Sequence, residues 1–293
     1  MIHDDKDEFL KILERVSAQT GFPLYLLEKD YYLTLILSEI KELDGELVFK
    51  GGTCLNKIYY SYFRLSTDLD FTLKPPKGGL TRAGRSKAIK PIKAKISHYL
   101  KRFGLGIKET EQTGRNESTQ YIFYADYKSV VLGADQQIKI EIGLRADTLL
   151  PTLNKKAEHK FLHPFTLEPL FESGEVRCLA LKELVAEKLR AASTRKDIAP
   201  RDFYDISYLI KTGFKFKDEE LNKLFRKKLE EDKKDTDLKK YRANLGRTKE
   251  EIDDMSSRIE AELLDVLSMD ERKSFNMGKA LDLINETLRQ SLG

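Results

Sequence analysis

Two short stretches of this 293-residue chain carry residue types suited to phosphate chemistry. Phe49-Lys50-Gly51-Gly52-Thr53 reads as a strand that ends in two glycines and opens a helix. Such a turn aims backbone N–H groups at one point, and glycine lets a ligand approach the backbone closely. The positive end of the new helix favours an anion there. Thr53 is placed to cap that helix and to offer its hydroxyl to a phosphate. Downstream, Asp68 and Asp70 stand two apart on a predicted strand. Their side chains therefore leave by one face, roughly 7 Å apart at the backbone, while Leu69 and Phe71 turn toward the core. Carboxylates within about 5 Å of each other repel by roughly 3 kcal/mol at an effective dielectric of about 20. Full hydration, a retained proton or a bound divalent cation relieves that repulsion. Mg²⁺, which takes a few carboxylates plus phosphate oxygens and waters, suits the arrangement.

Taken singly, Gly-Gly-Thr is more often an ordinary capped turn and Asp-x-Asp more often a wet strand face. Their coupling through one short helix is what points to a site. The turn would hold a triphosphate and the aspartates the metal on it. Arg64 and Ser66, just ahead of the aspartates, would fasten the loop or touch a phosphate. Three later positions extend the set. In Gln137 to Arg145, Ile138, Ile140 and Ile142 share one face and Lys139, Glu141 and Gly143 the other. Glu141 is thus a candidate third carboxylate, for metal binding or for accepting the proton of an attacking hydroxyl. A half-exposed strand with a polar outer face fits that pattern equally well. Lys188 falls on or beside the apolar stripe Leu181, Leu184, Val185, Leu189 of a predicted helix. A buried ammonium there needs an anionic partner, either a triphosphate or Asp202 or Asp205 of the next helix. The alternative is an ammonium that reaches solvent at the edge of the stripe.

The elements that must position these residues follow from periodicity and punctuation. Helices are expected over Asp5 to Leu43, broken at Gly21-Phe22-Pro23. A strand over Glu46 to Lys50, a helix over Thr53 to Tyr62 and a strand over Thr67 to Leu73 come next. Pro75-Pro76 and Gly78-Gly79 mark a loop. A helix over Arg85 to Phe103 is expected to be kinked or split at Pro91. Further strands are expected over Gly106 to Gln112, Thr119 to Tyr127 and Gln137 to Arg145. After Phe165 the chain is helical, over Leu179 to Thr194, Arg201 to Lys211 and nearly everything from Asp218. The reading is an α+β protein: N-terminal helices over 1–45, an α/β core with hairpins over 46–165, and a helical C-terminal domain over 166–293.

Composition narrows the function. Hydrophobic residues at 40% and charged residues at 34% describe a water-soluble globular chain, and a net charge of only +4 says partners are decided by where charge sits. From Phe71 through Lys108 there is no acidic residue, while Lys74, Lys77, Arg82, Arg85, Lys87, Lys90, Lys93, Lys95, Lys101 and Arg102 accumulate. Such a segment suits a polyanion, and Tyr59, Tyr60, Tyr62 and Tyr99 are candidates to stack on bases. A solvated helix is the plainer alternative. Lys217 to Lys249 mixes both signs and reads as solvated helical surface. Two cysteines without zinc or redox spacing and an acidic N-terminus point to a reducing cytoplasm. No apolar run reaches the ~20 residues of a membrane span. Four histidines without ligand spacing argue against a histidine-based zinc enzyme.

Phe49-Lys50-Gly51-Gly52-Thr53-Cys54-Leu55 followed by Arg64-Leu65-Ser66-Thr67-Asp68-Leu69-Asp70-Phe71 resembles the signature of the AbiEii/AbiGii-type nucleotidyltransferase toxins, of the polymerase-β-like superfamily. Glu28-Lys29-Asp30-Tyr31-Tyr32, Ile138-Lys139-Ile140-Glu141-Ile142, Glu187-Lys188-Leu189-Arg190-Ala191 and Arg201-Asp202-Phe203-Tyr204-Asp205-Ile206 extend the likeness, in order, over about residues 28 to 210. The resemblance implies a polymerase-β-like core with a mixed sheet and Mg²⁺-dependent transfer of NMP from an NTP. It implies an active-site role for Lys188 and for an aspartate of the following helix, with Asp205 the better match and Asp202 one turn earlier. Many superfamily members carry aspartate where Glu141 stands. The resemblance also implies a tRNA 3′ end as acceptor, an antitoxin encoded nearby, and a role in growth arrest or abortive phage infection. Rival readings are the same chemistry on a protein hydroxyl or a small molecule such as an aminoglycoside, and a non-catalytic nucleotide- or RNA-binding protein. The basic 74–102 segment argues against a cationic drug, and the intact Asp68/Asp70 pair against a non-catalytic protein.

Overall fold

The computed structural model describes residues 1–74, 81–107 and 114–292. The Pro75-Pro76 and Gly78-Gly79 loop, Lys77 and the far end of the strand expected over 106–112 lie outside the described residues. The chain forms two compact units, Met1–Leu179 and Ala180–Gly293.

The first unit opens with helices α1 (Lys6–Thr20), α2 (Leu24–Ser38) and α3 (Ile40–Leu43). Asp5 caps α1 by accepting from the Glu8 N–H, and Gly21 ends it in a left-handed conformation, φ 72°. Pro23 precedes α2 in an extended conformation, as a residue that cannot continue a helix should. Helix α2 is buried nearly all round, from Leu26 to Leu37, which marks it as the central helix of the unit. Its aromatic rings seat it: Tyr31 lies 4.7 Å from Phe9 and 5.5 Å from Phe161, and Tyr32 lies 4.5 Å from Tyr127.

Among the described residues eight strands form one mixed sheet: β1 (Val48–Lys50), β2 (Asp68–Thr72), β3 (Gly106–Ile107), β4 (Gly114–Arg115), β5 (Gln120–Lys128), β6 (Asp135–Gly143), β7 (Leu153–Lys156) and β8 (Glu175–Cys178). The order is β3-β5-β6-β2-β1-β8-β7, with β4 also on β5. Pairings β2–β6 and β1–β8 are parallel and the others antiparallel. Strands β7 and β8 escape sequence reading because four residues are too few for a period to register; β7 has no apolar alternation, and β8 alternates only through Val176 and Cys178. Strand β8 joins this unit by pairing with β1, where the Leu179 N–H also donates to the Phe49 carbonyl at 3.1 Å.

Between β1 and β2 lies α4 (Gly51–Cys54), which continues as a π-helical turn over Leu55–Tyr59. Helix α5 (Arg82–Lys101) runs through Pro91 as one element, so of the kink or split expected there the split does not occur. The proline removes one backbone donor, but Ile89, Ile92, Ile96 and Leu100 are wholly buried and hold both halves against the core.

The second unit is helical among its described residues: α6 (Leu181–Thr194), α7 (Pro200–Lys211), α8 (Glu219–Glu231), α9 (Lys249–Ser257), α10 (Ile259–Glu262), α11 (Met269–Ser274) and α12 (Met277–Ser291). Its core draws on Leu184 and Leu189 of α6, Phe203 and Ile206 of α7, Leu221 and Phe225 of α8, and Ile284 and Leu288 of α12, all nearly or fully buried.

Candidate active site

In the first unit the sheet register does the assembling. Lys50 of β1 pairs with Asp70 of β2, Asp70 with Glu141 of β6, and Asp68 with Lys139. Register partners project to the same side. One face therefore carries the row Lys50, Asp70, Glu141 and, beside it, Asp68 and Lys139. The opposite face carries Leu69, Phe71, Ile140 and Ile142, all buried, with the Phe49 and Phe71 rings 5.4 Å apart. Alternation along β2 thus anchors the strand by its apolar side and presents both aspartates by the other.

Gly51 follows Lys50 with φ 77°, a left-handed conformation that costs an L residue energy. A Cβ there would fall on the Asp70 carboxylate. A Cβ on Gly52 would lie 2.8 Å from Arg64 Nη2 and 3.1 Å from Ser66 Oγ. Gly51 is therefore required by its backbone conformation and by close approach to Asp70, whereas a side chain on Gly52 would displace the ends of Arg64 and Ser66. Arg64, 2% exposed, donates from Nη1 to the Leu65 carbonyl at 2.7 Å, so its guanidinium braces the loop ahead of β2 from within. Thr53 departs from expectation. The residue that caps α4 is Lys50, with no side-chain bond, and the buried Thr53 hydroxyl donates to the Asp68 carbonyl. It ties helix to strand because it faces β2 from inside the turn.

The charges on this face are unequal. Burial, the Glu141 charge and, less strongly, Asp68 push the Asp70 carboxyl up to about 6, against the pull of Lys50 and Lys139. Burial also opposes ionisation of Glu141, but Lys139, whose Nζ lies 2.7 Å from Glu141 Oε2, and Gln120 hold it below the usual carboxylate value. Glu141, expected as a third metal ligand or proton acceptor, is thus engaged by a lysine of its own strand. Among the described residues no three His, Cys, Asp or Glu side chains group closely enough to hold a metal ion by themselves. Asp68 and Asp70 remain a donor set of the right chemistry for a divalent cation completed by substrate oxygens. Asp70 in particular is a half-buried carboxylate whose ionisation such a cation would favour.

Beneath the turn sits a buried ion pair that sequence reading missed. Lys57 Nζ lies 2.7 Å from Asp30 Oδ1, 2.8 Å from Thr34 Oγ1 and 2.7 Å from the Tyr62 hydroxyl, and Lys57 and Asp30 are essentially unexposed. Tyr62 also bonds Asp30. The cluster clamps α2 to the turn that leads from α4 to Arg64, where Ser61 and Tyr62 adopt positive φ of 34° and 67°. Neighbouring Glu28 accepts from the Ser129 hydroxyl and, at 2.6 Å, from the Val130 N–H. The sequence signals for the clamps are two acids in a largely apolar helix and their place in the Glu28 to Tyr32 block that extends the family likeness.

In the second unit Lys188 Nζ lies 3.0 Å from Asp202 Oδ1 and 2.7 Å from Asp205 Oδ2. Its side chain is 11% exposed and those of the aspartates 3% and 0%. Arg195 adds a second cation to Asp202 at 3.0 Å. Burial resists ionisation of Asp202, but Lys188 and Arg195 hold it below the usual carboxylate value. The Lys217 to Lys249 stretch is not wholly solvated surface. Lys228 is 4% exposed and lies 2.8 Å from Glu183, 3.3 Å from Glu187 and 3.7 Å from Glu231. Its position on the apolar side of α8, with Leu221, Leu224 and Phe225, carries it inside.

The basic segment is partly spent on structure. Arg85 is buried and donates to the Glu117 carbonyl, Arg102 pairs with Glu39 and Glu42, Lys74 with Asp147, and Lys93 lies over the Tyr121 ring. Arg82, Lys87, Lys90, Lys95 and Lys101 stay exposed on α5. Two of the tyrosines expected to stack on bases are core residues. Tyr99 donates to the Ile36 carbonyl and Tyr62 belongs to the Lys57 cluster, because both are needed to satisfy buried polar groups.

A mixed sheet with a Gly-Gly turn beside paired aspartates fits the nucleotidyltransferase class. A family model described as nucleotidyl transferase AbiEii toxin, type IV TA system, matches residues 35–280, and the chain belongs to that family of toxin–antitoxin nucleotidyltransferases. No curated protein matches the sequence. Among solved structures the fold is similar to MenT4, a nucleotidyltransferase toxin from Mycobacterium tuberculosis H37Rv, at TM-score 0.60 and 18% identity over 95% of this chain and 87% of that one. It is also similar to JHP933 from Helicobacter pylori, at TM-score 0.51 and 14% identity over 92% of each chain. Among the described residues no helix is long and apolar enough to cross a membrane.

Proposed function

We propose that this nucleotidyltransferase transfers NMP from an NTP to the 3′ end of a tRNA in the cytoplasm. The growth arrest that follows would be held in check by an antitoxin encoded nearby and would serve defence against phage. The observation that carries the chemistry is the placement of Asp68 and Asp70 on one face of β2, with Gly51 packed against Asp70. In this reading the acceptor hydroxyl attacks the α-phosphorus, the bond to the bridging oxygen breaks, and pyrophosphate leaves. The backbone at Gly51 to Thr53 receives the triphosphate, with Arg64 and Ser66 holding the loop that faces it. Asp68 and Asp70 would hold Mg²⁺, which when bound supplies positive charge to the triphosphate and the departing pyrophosphate. Glu141, kept ionised by Lys139, adds a negative charge that favours cation binding and is the nearest acceptor for the hydroxyl proton. Lys188 is assigned to steadying the triphosphate, with Asp205 and Asp202 orienting its ammonium.

The family resemblance and the exposed lysines of α5 support an RNA acceptor, since a phosphate backbone is held mainly by lysine and arginine. Incubating the purified protein with each labelled NTP, Mg²⁺ and total cellular RNA tests the reading, with a protein lysate in parallel. Label in tRNA is expected. Label in protein or a small molecule instead would replace the acceptor, and no label from folded protein would remove the enzyme reading.

A further inference from the structure

Glu28-Lys29-Asp30 sits in the middle of α2, and its three side chains meet different fates. Glu28 is fully buried and receives Ser129 and Val130 from the connection between β5 and β6. Asp30 is buried and receives Lys57 and Tyr62 from the segment after the Gly-Gly turn. Successive helical residues project about 100° apart, so two clamps on either side fix the direction of Lys29. Both clamped segments lie at the end of the sheet where β2 begins with Asp68, one joining β5 to β6 and the other leading into β2, and Asp68 is the carboxylate whose charge acts on Lys29. Lys29 is half-buried, yet among the described residues it makes no ion pair or hydrogen bond. Lysines normally extend the ammonium into water or meet a carboxylate. Two other lysines of the framework have met carboxylates. Lys57 is locked to Asp30, and Lys139 to Glu141. Burial accordingly lowers the Lys29 pKa, against the pull of Asp68. A cation held in place, partly desolvated and left without a contact partner is preorganised for an incoming anion.

We propose that Lys29 is a phosphate-binding residue of the transfer site, its ammonium taking a phosphate oxyanion presented beside Asp68. The inference rests on the nucleotidyltransferase reading. Two sources supply that chemistry: the triphosphate of the NTP and the terminal phosphodiester of an RNA acceptor.

The test compares full-length wild type, Lys29→Gln and Lys29→Arg. Equilibrium binding of each ribonucleoside triphosphate with Mg²⁺ is measured, then transfer kinetics with NTP and total tRNA varied in turn. Loss of one charge-assisted contact predicts that Lys29→Gln raises the KM of one substrate by about ten-fold or more, at an unchanged thermal midpoint. Lys29→Arg should recover most of it. A rise in the NTP constant identifies the triphosphate, and a rise confined to the tRNA constant identifies the acceptor. Unchanged constants for both substrates in Lys29→Gln overturn the proposal while leaving the nucleotidyltransferase reading intact. A loss that tracks a fallen midpoint and is not recovered by arginine also overturns it, in favour of a structural role. Failure of the reading itself shows in the wild type, as neither NTP binding nor transfer, and the proposal falls with it.

Discussion

Asp70 of β2 and Glu141 of β6 are register partners across a parallel strand pair, two carboxylates side by side on one face of the sheet. Lys139 neutralises Glu141 at 2.7 Å, so the strain of the pair settles on Asp70, which burial and Glu141 push up to about 6. A site that keeps an acid at that value is poised for a cation to complete it.

The first expectation concerns stability against pH. A carboxyl whose folded-state pKa is raised contributes stability that is fully present below its unfolded value and is lost as pH rises through the folded value. In chelator, wild type should therefore lose on the order of 2 kcal/mol relative to Asp70→Asn between about pH 4 and pH 6. Adding Mg²⁺ at neutral pH should raise the wild-type midpoint and leave that of Asp70→Asn unmoved. Urea unfolding across the range measures both. Parallel curves for the two proteins would refute the expectation.

Removing either aspartate should abolish transfer without unfolding the protein. Asp68→Ala and Asp70→Ala are each expected to lower turnover by roughly 10²–10³-fold or more, the scale of losing a preorganised charge at the reacting phosphate. Circular dichroism should be unchanged. Survival of growth inhibition in Asp70→Ala would mean the reaction does not use this face.

Gly51 and Gly143 make an instructive pair. Gly51→Ala meets both a left-handed backbone, worth about 1–2 kcal/mol, and the Asp70 carboxylate, so stability and activity should both fall. Gly143, whose added Cβ would meet only the Phe71 carbonyl at 3.7 Å, should accept alanine with little change. Equal behaviour of the two variants in thermal unfolding would contradict the packing described for the turn.

The buried Lys57–Asp30 pair predicts non-additive energetics. Asp30→Asn strands an ammonium and should cost about 3–5 kcal/mol. Lys57→Met should also destabilise, by leaving Asp30 without its cation. The double variant should recover a sizeable part of the summed loss. A strictly additive urea cycle would show that the two side chains do not interact.

Lys188→Met leaves Asp202 and Asp205 buried together, with Arg195 bonded only to the first. Both the stability of the helical unit and transfer are expected to fall. Lys188→Arg separates the two effects, since it keeps the charge and loses the fit of a single ammonium between two carboxylates. It should fold nearly as wild type and transfer poorly; full activity would make Lys188 a structural residue.

Much of this was legible in the amino-acid sequence, for local reasons. The period-two pattern of Asp68 to Phe71 and of Ile138 to Ile142 decides which side chains leave by which face of their strands, whatever the strands pair with. Gly21-Phe22-Pro23 ends one helix and starts the next because backbone sterics at those residues allow little else. Gly-Gly followed by helix, then Asp-x-Asp, states the chemistry because few other residues perform it, and the family match agrees with it.

What the tertiary structure decided is who neighbours whom. Long-range pairing, invisible to periodicity, sets Glu141 opposite Asp70 and hands its charge to Lys139. It turns Thr53 inward to Asp68, where a reading of the turn in isolation expects a free cap. It brings Cys54 and Cys178, far apart in the chain, within hydrogen-bonding reach. It buries Lys57 and Lys228 among acids, residues that composition assigns to the surface. The Gly-Gly turn and the aspartate pair owe their residue types to sequence. Their conversion into one face, with Gly51 against Asp70, comes from the register of three strands, because only pairing sets the distance between side chains on different elements.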